Sequence, residues 1–152
     1  MTPRIREILV RNYKSLASVH VHLEPFTIFV GPNGSGKSNF VDALAFVQEC
    51  LSESIDMAFK NRGGITAVRR RSGGHPTHIG IRVIIDLGDE VEADYSFEIA
   101  AKPEERFRVA RERCVVQGFM NPNNRAAYRR EAASHAWQRI FRFLETSLKS
   151  GQ

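Results

Sequence analysis

Residues 31–38 read Gly31-Pro32-Asn33-Gly34-Ser35-Gly36-Lys37-Ser38, and they match the pattern GxxxxGK[ST] at every fixed position. The glycines let the main chain wrap tightly and turn its N–H groups inward, where they form a nest for phosphate oxygens. We expect Lys37 to reach the outer phosphates as a point charge, in binding and in catalysis. The Ser38 hydroxyl is expected to bind the Mg²⁺ that bridges those phosphates. The segment therefore predicts a P-loop that holds a nucleoside triphosphate.

The segments on either side of this loop have the pattern that phosphate binding requires. Residues 26–30 are apolar apart from Thr27, and this composition predicts a strand covered on both faces. A helix is expected to begin near Lys37 and to aim the positive end of its dipole at the phosphates. Its predicted apolar stripe consists of Phe40, Val41, Leu44, Val47 and Leu51. Asn39, in the first turn of this helix, is included among the residues expected to contact nucleotide.

The remaining segments predict strands and one C-terminal helix. Strands are expected over residues 5–10, 19–23, 79–87, 91–100 and 107–116, a loop over 61–78 and a helix over 125–149. In the second strand His20 and His22 alternate with apolar residues, and we interpret them as solvent-facing rather than metal-binding. Gly88-Asp89 is the expected turn between the third and fourth of these strands.

Composition narrows the class of protein. The chain has 152 residues, with 42% hydrophobic and 26% charged residues, and no stretch is long and apolar enough to cross a membrane. Charged residues interrupt the N-terminus, which argues against a signal peptide and predicts a cytoplasmic protein. The formal net charge of +5 favours polyanionic partners. Cys50 and Cys114 have no metal-ligand spacing and are expected to be free thiols.

Several motifs resemble those of the RecF and structural-maintenance-of-chromosomes (SMC) group of ABC-type ATPase heads, often labelled AAA family ATPases. The matching segments are Val10-Arg11-Asn12-Tyr13-Lys14-Ser15-Leu16, the P-loop form GPNGSGKSN, the apolar helix over 40–47, and the basic loop Val68-Arg69-Arg70-Arg71-Ser72-Gly73-Gly74 before a β-meander. The resemblance covers roughly the first 120 residues. It implies ATP and Mg²⁺ as ligands, a position for Lys14 close to the nucleotide, and a role in genome maintenance or phage defence.

The resemblance also implies an α/β fold: the N-terminal lobe of an ABC-type head, with a mixed sheet and an antiparallel β-meander. We expect residues 1–124 to form this ATP-binding lobe and residues 125–152 to form a helical segment of an incomplete domain. A complete head also carries a Walker B Asp-Glu pair and a signature motif near LSGGQ. Val83-Ile84-Ile85-Asp86 ends in a single acid, and Ser72-Gly73-Gly74-His75 and residues 148–152 are interpreted as coincidental likenesses. Hydrolysis is therefore expected to need a missing C-terminal lobe or a second head.

Two alternatives belong to other classes of protein. The chain could be a compact P-loop enzyme, such as a kinase, with Asp86 as its Mg²⁺ acid; the predicted antiparallel hairpin argues against this. It could instead be a nucleotide-switched module that binds DNA or RNA through its basic segment. That segment contributes Lys60, Arg62, Arg69, Arg70 and Arg71, and could equally be a solvated surface. GTP is not expected, because no Thr-Lys-x-Asp motif is present.

Overall fold

The structure, a computed structural model, describes residues 4–71, 78–88 and 91–117. Five strands and three helices lie within these ranges. The strands are β1 (Arg4–Tyr13), β2 (Leu16–His22), β3 (Ile79–Gly88), β4 (Val91–Ala101) and β5 (Phe107–Gln117), and the helices are α1 (Lys37–Ser52), α2 (Ile55–Lys60) and α3 (Ile65–Val68). The helix predicted over 125–149 and the signature-like stretches over 72–75 and 148–152 lie outside the described residues.

The strands form one sheet in the order β2-β1-β3-β4-β5, and each neighbouring pair is antiparallel. Alternate residues of β3 are buried on one face, as the period-two pattern predicts. They are Ile79, Ile81, Val83 and Ile85. The predicted meander is therefore confirmed. The mixed sheet stays a prediction, because every pairing among the described residues is antiparallel.

Helix α1 packs its apolar face against the covered face of the sheet. Phe46 lies at the centre of this contact, with ring centroids 5.5 Å from Tyr13, 5.1 Å from Phe59 and 6.5 Å from Phe97. The buried residues of the helix are Phe40, Ala43, Phe46 and Val47. Val41 was assigned to the buried stripe, and this is wrong: it is 57% exposed. One helical step of about 100° past Phe40 turns its side chain off the buried face.

Residues 26–30 do not form the doubly covered strand that their composition predicts. The segment has irregular backbone, and Phe26, Ile28 and Val30 are 80%, 67% and 87% exposed. A strand needs a neighbouring strand for its backbone hydrogen bonds, and burial of both its faces needs a packed layer on each; no described strand pairs with this segment. Phe29 is also exposed, at 39%, but its ring centroid lies 5.0 Å from that of Phe40.

A tight turn joins β1 to β2 and holds the basic segment in place. The turn consists of Lys14, which has a left-handed φ of 47°, and Ser15. The Lys14 amide donates to the Val68 carbonyl at 2.6 Å, and the Arg70 amide donates to the Asn12 carbonyl at 2.9 Å. The loop predicted over 61–78 thus contains α3, and its residues up to 71 lie along the end of β1. Among the described residues, no helix is both long and apolar enough to span a bilayer.

Candidate nucleotide-binding site

The predicted P-loop leads directly into α1. Gly36, the residue before the helix, has a φ of 96°, and a Cβ there would lie 2.9 Å from Cδ2 of Leu16. Only glycine fits this position without strain. No side chain caps the helix start, and its first turn holds no acid. The first amide groups and the positive dipole end are therefore available to an anion.

Lys37 lies inside the loop that precedes it. Its Nζ donates to the carbonyl oxygens of Gly31 at 2.7 Å and Pro32 at 2.8 Å, and to Oγ of Ser35 at 3.2 Å. The ammonium group thus occupies the concave side of the turn, while residues 31–35 stay exposed. A phosphate that binds here has to replace these oxygen contacts with its own.

The first turn of α1 contacts the β1–β2 turn. Nδ2 of Asn39 donates to Oγ of Ser15 at 2.7 Å. Ser38, the expected Mg²⁺ ligand, is exposed beside it. Since the Asn39 amide already has a partner, the predicted contact of its side chain with nucleotide would require that bond to open.

Lys14 is tied to α1 by Asp42. Its Nζ lies 2.6 Å from Oδ2 of Asp42, which also accepts a hydrogen bond of 2.6 Å from the Tyr13 hydroxyl. Burial raises the pKa of Asp42, but the hydrogen bonds from Lys14 and Tyr13, helped by the charge of Arg62, outweigh it and hold the pKa below its ordinary value. Burial and the same carboxylate raise the pKa of Tyr13. Lys14 therefore forms part of a charged network at the helix flank.

Arg62 is the second cation of this network, and its assignment to a nucleic-acid surface is wrong. Its side chain is only 7% exposed, and its Nε donates to Asp42 at 3.0 Å. Nη1 and Nη2 donate to Glu49 at 2.7 and 2.9 Å, and the guanidinium lies 5.3 Å from the ring centroid of Phe46. The hydrogen bond from Arg62 lowers the pKa of Glu49. A polyanion cannot reach this group.

The other arginines of the basic segment meet Lys14 in an open cleft of about 530 Å³. It is lined by Lys14, Ser15, Thr66, Ala67, Arg69, Arg70 and Arg71. Through Ser15 the cleft adjoins the first turn of α1, so it lies beside the P-loop. Lys60, at the end of α2, is exposed and does not line the cleft. The structure thus brings Lys14 together with three of the five predicted basic residues.

A family model described as AAA ATPase domain matches residues 4–116, which is more than half of the chain. The chain belongs to the AAA ATPase domain family.

Relatives of this AAA ATPase domain include proteins named for DNA repair and for chromosome structure. The DNA replication and repair protein RecF of Corynebacterium jeikeium is 35% identical over 86 residues, covering 51% of this chain and 20% of that protein. RecF of Beutenbergia cavernae is 29% identical over 98 residues, covering 60% of this chain and 25% of that protein. The chromosome partition protein Smc of Methanocaldococcus jannaschii is 48% identical over 44 residues, covering 28% of this chain and 4% of that protein. The chain therefore matches a quarter or less of the length of these proteins. It resembles an N-terminal part of a RecF/SMC-like ABC-type ATPase.

Asp86 of the AAA ATPase domain does not belong to the P-loop site. It accepts a hydrogen bond of 2.9 Å from the Gly88 amide, which lowers its pKa, and it contacts Nε of Arg4 at 3.5 Å. Arg4 begins β1, whereas the turn that contacts α1 follows the other end of that strand. Ten antiparallel residues span about 30 Å. Asp86 thus lies near the end of β3, paired with Arg4 and Glu92, and away from the start of α1.

Sequence reasoning missed two residues that organise the site. Asp42 and Glu49 are the two acids of α1, and their separation of seven residues, about two helical turns, places them on one side of the helix. That spacing was a usable signal for a shared basic partner. Nothing local identifies Arg62 as that partner, since it lies 20 and 13 residues further along the chain.

Proposed function

We propose that this AAA ATPase domain binds ATP with Mg²⁺ as the N-terminal lobe of an ABC-type head, and that hydrolysis requires Walker B and signature motifs from another segment. The observation that carries the proposal is the position of Lys37, which lies within its own loop at the start of an uncapped helix. The residue types suit a triphosphate, because an uncapped helix start, the Lys37 ammonium and the exposed Ser38 hydroxyl lie within one short segment. In this assignment residues 31–38 hold the phosphates, Ser38 binds Mg²⁺, and Lys37 stabilises the negative charge of the phosphoryl group that is transferred.

The exposed apolar segment over residues 26–30 supports the assignment as one lobe of a larger head. Phe26, Ile28 and Val30 would be covered if a C-terminal lobe packed on this segment, and the sheet would become mixed if a strand of that lobe paired with the segment in parallel. The greater length of the RecF and Smc relatives is consistent with such a lobe. Residues 1–124 would form the ATP-binding part, in a cytoplasmic protein. We expect the 152-residue chain to bind ATP but to hydrolyse it slowly.

Isothermal titration calorimetry with Mg²⁺ and ATP tests this function. A charge-assisted hydrogen bond is worth about 1.5–3 kcal/mol, so Lys37→Ala should weaken binding by roughly 10- to 150-fold. Lys60→Ala removes an exposed lysine away from the loop and should leave the Kd unchanged. Equal affinities for wild type and Lys37→Ala would refute the assigned site, and fast hydrolysis independent of protein concentration would refute the need for another segment.

The basic cleft favours a second candidate function, in which nucleotide controls binding of DNA or RNA. Lys14 is shared between the cleft and the contact with α1, so both ligands would act on the same turn. The triple substitution of Arg69, Arg70 and Arg71 by Gln should abolish salt-dependent DNA binding measured by fluorescence anisotropy. The matched triple substitution of Arg106, Arg108 and Arg111, which are exposed outside the cleft, should retain it. Equal binding by both variants would remove this candidate.

A further inference from the structure

Three potential metal ligands meet on the face of the sheet opposite α1. In β2, His20 and His22 are two residues apart and therefore point to the same side, with about 6.8 Å between their Cα atoms. Glu7 of β1 lies directly opposite His22 in the strand register and diagonal to His20. One ligand atom from each residue lies within 4.8 Å of the others. The antiparallel register of β1 and β2 thus creates a cluster that spacing along the sequence does not reveal.

Two separations within the cluster, those from each histidine to Glu7, match the spacing of ligand atoms in a coordination shell. Nε2 of His20 lies 3.1 Å from Oε2 of Glu7, and Nδ1 of His22 lies 3.4 Å from Oε1. Tetrahedral Zn²⁺ with bonds of about 2.0–2.1 Å places its ligand atoms ~3.3 Å apart. His22 has a 68% exposed side chain, so it is free to rotate toward a shared ion. A small movement at the surface would complete the arrangement.

The donor set also selects the class of cation. Two neutral imidazoles and one carboxylate suit Zn²⁺ and its first-row neighbours, whereas Mg²⁺ and Ca²⁺ prefer oxygen ligands. Three protein ligands leave a fourth tetrahedral position, and His20 and His22 both face solvent, from which water can fill it. The site would therefore discriminate against the Mg²⁺ that accompanies ATP.

We propose that Glu7, His20 and His22 form a binding site for one Zn²⁺-class cation, separate from the nucleotide site. The bound ion would link β2, which lies at one edge of the described sheet, to its neighbour β1. The chain leaves β2 through Leu23, whose amide donates to the Arg6 carbonyl at 2.7 Å, and then leads toward the P-loop. The ion would thus stabilise the pairing of β2 with β1, just before the segment that leads to the P-loop.

The competing explanation is a pair of hydrogen bonds that need no ion, and titration of the nucleotide-free 152-residue chain separates the two. Calorimetry with ZnCl₂ is expected to show one equivalent bound, and MgCl₂ should give no heat at the same concentrations. Single substitutions Glu7→Gln, His20→Asn and His22→Asn should each abolish binding at zinc concentrations that saturate the wild type. His78→Asn is the matched control, because this exposed histidine contributes its carbonyl rather than its ring to a described contact.

Substitution of Co²⁺ for Zn²⁺ tests the ligand set by absorption spectroscopy. The proposed site should give the visible bands of four-coordinate Co²⁺ without thiolate charge-transfer absorption in the near ultraviolet. Zinc should also protect His20 and His22 of the wild type from modification by diethyl pyrocarbonate, as mapped by mass spectrometry. This measurement does not depend on the folding of any variant. The proposal would be overturned by no zinc binding in the wild type, by equal binding in the three ligand variants, or by a thiolate spectrum, which would place the metal on a cysteine.

Discussion

Arg62→Ala should destabilise the domain strongly, although a surface arginine in a run of cations would be expected to have no effect on stability. Four hydrogen bonds end on this side chain, three to the carboxylates of Asp42 and Glu49 and one to the Ala58 carbonyl. Removing one partner of a buried ion pair costs about 3–5 kcal/mol. Asp42 keeps Lys14 as a partner, and both acids are partly open to water, so we expect about 3 kcal/mol here.

Urea unfolding followed by circular dichroism measures this loss. With a slope of about 1.5 kcal/mol/M, the unfolding midpoint of Arg62→Ala should fall by about 2 M with the slope unchanged. Arg106→Ala is the matched control: its ion pair with Glu104 is exposed, with 69% and 78% exposed side chains, and such pairs are worth about 0–1 kcal/mol. Equal midpoints for the two variants would refute the structural role of Arg62 and return it to the set of surface cations.

Three further predictions follow from the described contacts. The carboxyl groups of Asp42 and Glu49, which Arg62 contacts, have lowered pKa values. Their contribution to stability is therefore present above their unfolded pKa values of 3.8 and 4.5 and is lost as the pH falls through the folded pKa values. Unfolding free energies measured from pH 7 to 3 should decline less in Arg62→Ala than in wild type. Gly36→Ala should weaken ATP binding more than Gly34→Ala in calorimetry, because both have left-handed φ but an added Cβ meets another side chain only at Gly36. Phe46→Ala should cost about 3–5 kcal/mol in urea unfolding, whereas Phe26→Ser, at an 80% exposed position, should cost less than ~0.5 kcal/mol and reduce binding of the dye ANS; similar costs for the two would contradict the burial pattern.

Features with local causes could be predicted from the sequence. The loop motif places the start of α1 at Lys37, because the glycines end regular structure and the apolar period of the helix begins there. The period-two patterns over 79–87 and 91–100 identify β3 and β4, since one face of each strand is buried. These signals depend on neighbours within a few residues, which is why the predicted ends of these two strands agree with the structure to within one position.

Features that depend on distant partners could not be predicted. The apolar run over 26–30 indicates a need for cover, but composition does not say whether the chain itself supplies that cover. Arg62 lies in a run of cations, and only the folded position of α2 against α1 brings it to two carboxylates. Glu7 joins the two histidines of β2 through a strand register that a turn of two residues sets. In the last two cases the deciding contact links residues at least 13 positions apart.

Asp42 gives the lobe a mechanical linkage. Its carboxylate, on α1, contacts Lys14 in the turn after β1 with one oxygen and the Arg62 guanidinium, just after α2, with the other. A rotation of α1 has to carry both attachments with it or break one of them. A movement of α1 on phosphate binding would therefore be transmitted to the arginine-lined cleft through the side chain of Asp42.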